Sequence, residues 1–182
     1  LVSKTCFGSR FNRYAQELTL FTDEPDINKQ KAYIDNKDQL LKIALFDLWL
    51  ANEDRNFNNT NLLIDVRNNY SFVPIDHSAI LNSREFYSKV SILTENECLI
   101  DTEIFNKLFP KKIFSRTCIN ELKKYFYLCT LQSKKSFHEI LEQIPVDWEQ
   151  GRQVLEQKIN KEIFTPDWEE SVIQTFLEYI ES

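Results

Sequence analysis

The chain has 182 residues, of which 42% are hydrophobic, and this length and composition predict one domain with a well-filled core. Its formal net charge of −6 argues against nucleic acid as a main partner, and no apolar run reaches the roughly 18 residues of a membrane span. Four cysteines without Cys-x-x-Cys spacing and only two histidines give no zinc pattern, so the sequence predicts free thiols in a reducing cytoplasm.

Helices are expected to dominate along the chain, because glycine is scarce and apolar residues recur at helical spacing. A first helix is predicted to run to about Ala51, with Asp35 or Asn36 as its N-terminal cap. It is apolar around nearly its whole circumference and is therefore expected to be buried. Two apolar runs follow, at 62–66 and 70–75. The polar residues between them, 67–69, suit a turn, and together the three segments predict a β-hairpin.

The C-terminal part, 98–182, is predicted to be helical. Its last helix starts at Thr165, which suits a cap, and Pro166 suits the first turn. Together with the hairpin, these segments predict a mainly α fold that contains a small β-hairpin. The other helices are predicted from apolar stripes and from breaks at prolines, and they lie at 101–108, 118–131, 136–144 and 154–163.

The residues that suggest chemistry surround the hairpin. Asp54 and Asn59 lie in a polar, Asn-rich loop, 52–61, directly before the first strand, and Asp76 follows the second strand. If the hairpin forms, its open end holds Asn59 and Asp76 roughly opposite each other, with about 5 Å between the Cα atoms. A carboxylate and an amide oxygen that converge in this way suit Mg²⁺, which binds few protein oxygens besides substrate phosphates. A further carboxylate, Asp54, can orient or deprotonate a hydroxyl group.

Asp54 and Arg55, with Asn59 five positions after Asp54 and the tripeptide 75–77 following, resemble the catalytic loop and metal motif of the HipA-like kinases. These bacterial kinases belong to the protein-kinase-like superfamily. The resemblance implies that Asp54 is the catalytic base and that Arg55 belongs to the catalytic loop, where it pairs with a carboxylate to brace it. It also implies that Asn59 and Asp76 bind Mg²⁺ and that ATP is the phosphoryl donor.

A second match is found at residues 7–13, which are similar to the hinge segment of HipA-like kinases. By this resemblance Ser9, Arg10 and Phe11 border the adenine of ATP. Asn61 fits a polar position that follows the metal-binding Asn in the family, and it is assigned to the cofactor site on that ground.

Two departures from the family pattern are visible. Asn56 occupies the position of the usual His after Asp-Arg, which puts any role of that His in doubt. The resemblance also covers only the C-terminal lobe, over 1–182, so an N-terminal lobe with a phosphate-covering loop and its Lys is expected to be absent from these residues.

The implied reaction is transfer of the γ-phosphoryl group of ATP to a hydroxyl group. The acceptor is expected to be Ser or Thr of a protein, and a small hydroxyl compound stays open. A regulatory protein partner and a toxin–antitoxin pairing stay open as well. Two other classes compete with the kinase. One is a non-catalytic binding or regulatory module without a nucleotide lobe. The other is a metal-dependent hydrolase, which would want more His or carboxylate ligands than the loop supplies.

Overall fold

The computed structural model describes residues 11–18, 35–82 and 88–181. In these parts the chain is mainly helical and contains a small three-stranded antiparallel sheet, so the mainly α class is confirmed. None of the described helices is both long enough and apolar enough to cross a membrane. In chain order the strands and α-helices are β1 (Ala15–Glu17), α1 (Asp38–Leu50), β2 (Leu62–Asp65), β3 (Ser71–Pro74), α2 (Glu103–Leu108), α3 (Arg116–Glu142), α4 (Glu149–Lys158) and α5 (Pro166–Glu181).

The predicted hairpin is present as β2 and β3, with Leu62 opposite Pro74. The sheet has one strand more than predicted, because β1 pairs antiparallel with β2 and places Ala15 opposite Asp65. The sequence of β1, Ala-Gln-Glu, has neither β-branched residues nor an apolar alternation, so its extended state depends on pairing with β2. The amide of Asn12 fixes this arrangement by donating to Asp65 Oδ2 at 2.8 Å.

Helix α1 is the buried helix that the sequence predicts, and it starts at Asp38, later than a cap at Asp35 or Asn36 implies. Its side chains are buried on most sides, whereas Phe46 is 41% exposed. The helix packs against α5 and α3. The indole nitrogen of Trp168 in α5 donates to the Trp49 carbonyl at 2.9 Å, which joins the two helices near the C-terminal end of α1. This packing makes the end of α1 a rigid support for the loop that follows.

Helix α3 corrects the prediction of two helices at 118–131 and 136–144. It is continuous over 27 residues, and the Ser115 hydroxyl caps it by accepting from the Cys118 amide at 3.1 Å. The residues between the two predicted helices, 132–135, include neither Pro nor Gly, so nothing in them interrupts helical hydrogen bonding. As predicted, the helix ends shortly before Pro145.

The segment predicted as one helix over 154–163 is divided. Helix α4 starts earlier than predicted, at Glu149, and is followed by a π-helical turn, Ile159–Ile163. Helix α5 then begins as predicted, with the Thr165 hydroxyl accepting from the Trp168 amide at 3.2 Å. The predicted apolar stripe of α5 is confirmed, since four of its members are buried and two are partly buried: Val172, Ile173, Phe176 and Ile180, then Trp168 and Leu177.

Candidate active site

The loop at 52–61 starts where α1 ends. Ala51 adopts a left-handed conformation, with φ 47°, and turns the chain away from the helix axis. The loop then reverses on itself, because the backbones of Asn56 and Asn59 exchange two hydrogen bonds, of 2.9 and 3.1 Å. The Asn56 side chain donates to the Glu53 carbonyl at 2.8 Å. At the position where the family usually has His, Asn56 therefore shapes the turn of the loop.

Asp54 lies in this loop with its side chain half-buried. The amide of Asn59 donates to Asp54 Oδ1 at 3.3 Å, and the amide of Asn61 donates to Oδ2 at 2.9 Å. The Asn61 amide is also 3.4 Å from the Asp54 carbonyl. Two amides thus orient the carboxylate. Each carboxylate oxygen has two lone pairs, so the group keeps the capacity to accept a proton or a further hydrogen bond.

Asp76 lies directly after the sheet and is exposed. Beyond the ladder of β2 and β3, the Ile75 amide donates to the Asn61 carbonyl at 2.9 Å. Asn61 and Asp76 both have left-handed backbones, with φ of 44° and 50°, and there the strands bend out of the sheet. Hydrogen bonds from the Ser78 side chain and from its backbone amide lower the pKa of Asp76, which keeps the carboxyl group ionised.

The structure places Asn59 differently from the simple hairpin geometry. Continuing the register of β2 and β3 would bring Thr60, rather than Asn59, opposite Asp76. Asn59 instead pairs with Asn56 inside the loop. The amide nitrogen of Asn59 is directed at Asp54, so the two residues meet through the loop rather than through the β-ladder.

Arg55 lies behind the loop and is completely buried. Its Nη1 donates to Asp47 Oδ1 at 2.5 Å, and its Nη2 donates to the Ile75 carbonyl at 2.7 Å. Its Nε is 3.5 Å from the Asn61 carbonyl, and Nη2 is 3.4 Å from His77 Nε2. The guanidinium group therefore connects α1, the loop and the segment that carries Asp76.

Two members of this buried cluster were not predicted from the sequence. Asp47 is buried within α1, and Asn52 follows the helix and donates to Asp47 Oδ1 at 2.9 Å. Burial raises the pKa of Asp47, while the positive charge of Arg55 opposes the rise. The available signal was that Asp47 is the only charged residue in the apolar stretch 43–51, where a charge is expected to have a partner.

His77 packs edge-on against Phe46, with 6.0 Å between the ring centroids. Burial and the nearby charge of Arg55 lower its pKa, so the ring is held neutral near pH 7. His77 therefore packs against α1 through Phe46.

A cleft of about 710 Å³ opens beside Asp54. Polar contacts hold its wall together, because Asn82 donates to Glu53 Oε1 at 2.9 Å and accepts from the Ser91 amide at 2.8 Å. The residues that line it are mostly polar and come from three segments, namely Glu53, Asp54 and Asn56, then Ser78, Ala79 and Asn82, then Ser88, Lys89, Ser91 and Glu97.

A second buried cation supports the wall of this cleft that segment 88–91 forms. Lys158, at the end of α4, is 6% exposed, and its ammonium group donates to the Ser88 carbonyl. It also lies 3.7 Å from a carboxylate oxygen of Glu162 in the π-helical turn. The other Glu162 oxygen accepts from the Val90 amide at 2.6 Å. Segment 88–91 is thereby attached to the C-terminal helices.

Of the predicted adenine-bordering residues, Ser9 and Arg10 lie outside the described residues. Phe11 is 87% exposed and lines a cavity of about 620 Å³. The guanidinium carbons of Arg13 and Arg67 lie over the Tyr14 ring in the same cavity, 4.8 and 4.4 Å from its centroid.

The described residues contain no group of three or more His, Cys, Asp or Glu side chains that could hold a metal ion. The oxygen donors near the loop are of another kind, namely the Asn59 amide and the Asp76 carboxylate, and these suit a cation that keeps substrate oxygens among its ligands.

A family model described as HipA-like kinase matches residues 1–169. The match covers most of the 182 residues, and the chain therefore belongs to the HipA-like kinase family. Comparison with curated proteins and with solved structures gave no match.

Proposed function

We propose that the protein is an ATP-dependent phosphotransferase that moves the γ-phosphoryl group of ATP to a hydroxyl group, the side chain of Ser or Thr in a protein. The observation that carries this proposal is the position of Asp54. Its carboxylate is oriented by the amides of Asn59 and Asn61, and the residue lines an open polar cleft. Membership of the kinase family supports the same reaction class.

In this proposal the acceptor hydroxyl enters the cleft and donates a hydrogen bond to Asp54. As the hydroxyl oxygen forms a bond to the γ-phosphorus, the proton passes to the Asp54 carboxylate. The bond between the γ-phosphorus and the bridging oxygen breaks, and ADP leaves with the electron pair. The contribution of the chain is positioning, because the two Asn amides fix the carboxylate before the acceptor arrives.

Asn59 and Asp76 would hold Mg²⁺. The Asn59 amide nitrogen bonds to Asp54, which leaves its oxygen for another partner. The low pKa of Asp76 keeps its exposed carboxylate charged. When bound, the metal neutralises charge on the phosphates of ATP.

The length of β2 suggests how far apart the adenine and the γ-phosphate of ATP would lie. Phe11 and the cavity around it lie by Asp65, at one end of β2, whereas Asn61 and Asp54 lie at the other end. The three residue steps of β2 separate these ends by about 10 Å. We place the adenine near Phe11 and the γ-phosphate near Asp54, so that ATP extends along the sheet.

Two further features support a proposal for the acceptor and for the cellular location. The cleft is open and lined mostly by polar residues, several of them with short side chains, which suits an extended polypeptide better than a small compound. Cys98, Cys118 and Cys129 are free thiols, which fits our placement of the enzyme in the cytoplasm.

The test has two measurements on the protein in its full natural length. The first is calorimetry of ATP binding with and without Mg²⁺. The second is the rate at which ATP is slowly hydrolysed, followed by the release of phosphate. We expect Asp76→Asn to remove the Mg²⁺-dependent part of binding. Asp54→Asn is expected to keep binding and to slow phosphate release about a hundredfold or more. Asp38→Asn, an exposed change at the start of α1, is the matched control.

Three outcomes are informative. Binding that depends on Asp76, with turnover that depends on Asp54, supports the proposal. Binding without turnover would replace the kinase by a nucleotide-sensing module. If neither the natural protein nor its control binds Mg²⁺ and ATP, the chain is a non-catalytic binding or regulatory module.

A further inference from the structure

We infer that Asp47, a residue of α1, is a positioning residue for Asp76 and that it acts through Arg55. The inference rests on the proposed function, since it assigns Asp76 to the metal. The two carboxylates belong to different segments, and the described structure connects them by one buried guanidinium group.

The first step is the contact between Asp47 and Arg55. Both side chains are buried, at 1% and 0% exposure, so water does not screen their attraction. Asn52 donates to the same Asp47 oxygen, which fixes the carboxylate from a second side. Because Asp47 lies inside a helix that is packed on most sides, it holds Arg55 in one place.

The second step is the contact between Arg55 and the segment that carries Asp76. Arg55 Nη2 donates to the carbonyl of Ile75, whose peptide group joins it directly to Asp76. The Asp76 carboxylate bonds to Ser78, only two residues away, and that bond does not attach it to the core. The direction of Asp76 therefore depends on the peptide group that Arg55 holds.

The third step is the shape of the cation. A guanidinium group is a rigid fork, and Arg55 uses separate nitrogens for Asp47 and for Ile75. A Lys ammonium would keep the charge opposite Asp47 but could not make both contacts in this geometry. Arg55→Lys thus separates charge pairing from positioning, and Asp47→Asn removes the charge while keeping the side-chain shape.

The experiment compares Arg55→Lys and Asp47→Asn with Ile173→Val, a buried change in α5 that is remote from the cluster. All variants are studied at a temperature at which circular dichroism shows them folded. We expect both cluster variants to weaken the Mg²⁺ dependence of ATP binding about 10- to 100-fold, as changes to the outer partners of metal ligands do. In the cluster variants, ATP binding without metal is expected to stay within about twofold of the natural protein. In Ile173→Val, the Mg²⁺ dependence of ATP binding is expected to stay within the same range.

A second readout does not need the nucleotide. Hydrogen exchange measured by mass spectrometry should become faster at residues 76–78 in Asp47→Asn and in Arg55→Lys, and not in Ile173→Val. If the natural protein fails to bind Mg²⁺ and ATP, the proposed function is lost, while exchange at 76–78 still decides whether Asp47 holds this segment. Unchanged exchange and unchanged Mg²⁺ dependence in both cluster variants would overturn the inference and leave Asp47 with a role in stability alone.

Discussion

Two buried cations, Arg55 and Lys158, hold two different walls of the cleft, the loop at 52–61 and the segment at 88–91, and they do so in different ways. Arg55 is fully enclosed and contacts partners between 6 and 22 residues away in sequence. Lys158 is slightly exposed and reaches the Ser88 carbonyl, 70 residues away. The Arg anchor thus organises one continuous segment, 47–77, whereas the Lys anchor attaches a distant segment to the C-terminal helices.

This difference indicates that the two walls differ in stability. Removing one partner of a fully buried pair leaves an uncompensated charge, which costs far more than losing a pair that water can reach. We therefore expect the wall that carries Asp54, together with the neighbouring segment that carries Asp76, to open only when the fold as a whole opens. The wall at 88–91 depends on fewer contacts and should open at lower free energy.

The largest effect is expected for Arg55→Met. It leaves Asp47 buried without a counter-ion and should lower the free energy of unfolding by about 3–5 kcal/mol, measured by urea denaturation. The double variant Arg55→Met with Asp47→Leu removes both charges and should recover much of the loss. A loss below about 1 kcal/mol for the single variant would show that water solvates the pair.

A smaller effect is expected for Lys158→Met. It removes charge-assisted hydrogen bonds at a site close to the surface and should lower the free energy of unfolding by about 1–3 kcal/mol. In this variant the rate of hydrogen exchange should rise more at 88–91 than at 52–61. The control is Lys161→Met, an exposed change in the same π-helical turn. Equal increases in both walls would contradict the proposed difference between them.

The cap of α5 tests how the Lys anchor is supported. The Thr165 hydroxyl accepts from the Trp168 amide and also lies 3.4 Å from the Glu162 carbonyl. Thr165→Ala should cost about 1 kcal/mol in thermal unfolding, and Thr165→Ser should restore most of it. A matching increase in exchange at the Val90 amide would show that the cap also fixes Glu162.

The smallest effect is expected at a partly exposed ion pair, between Lys112 and Glu95, with 3.1 Å between nitrogen and oxygen. Glu95→Gln should change the free energy of unfolding by at most about 1 kcal/mol, and salt should reduce the difference further. This variant gives a reference value with which the stability losses at Arg55 and Lys158 can be compared. A larger effect would mean that solvent exposure alone does not separate the three sites.

Local signals in the sequence were sufficient for some elements. Helix α5 was predicted closely, because a capping Thr, a first-turn Pro and an apolar stripe all agree. The hairpin was predicted because turn chemistry and β-branched runs coincide. Strand β1 was not, since three residues without a strand pattern become extended only when β2 is beside them. The break predicted within α3 failed because polar residues alone do not end a helix.

The candidate site divides in the same way. The nearness of Asp54 and Asn59 could be predicted because both residues lie in one short loop. The expected position of Asn59 opposite Asp76 was wrong, because the register of the hairpin brings Thr60 there. The contact between Lys158 and segment 88–91 could not be predicted, since it depends on how α4 and the π-helical turn pack. Asp47 is an intermediate case. A single charge on an apolar helix predicts that the residue has a partner, but it does not identify that partner as Arg55.

The left-handed backbones at Asn61 and Asp76 affect how this protein should be mutated. Asn and Asp adopt such conformations more readily than other residues with side chains, and only two glycines occur in the chain. Alanine scanning at these positions would therefore mix the loss of a functional group with a change in backbone preference. Exchanges between Asn and Asp keep the conformational preference and alter only charge and hydrogen bonding, so they report on chemistry more cleanly.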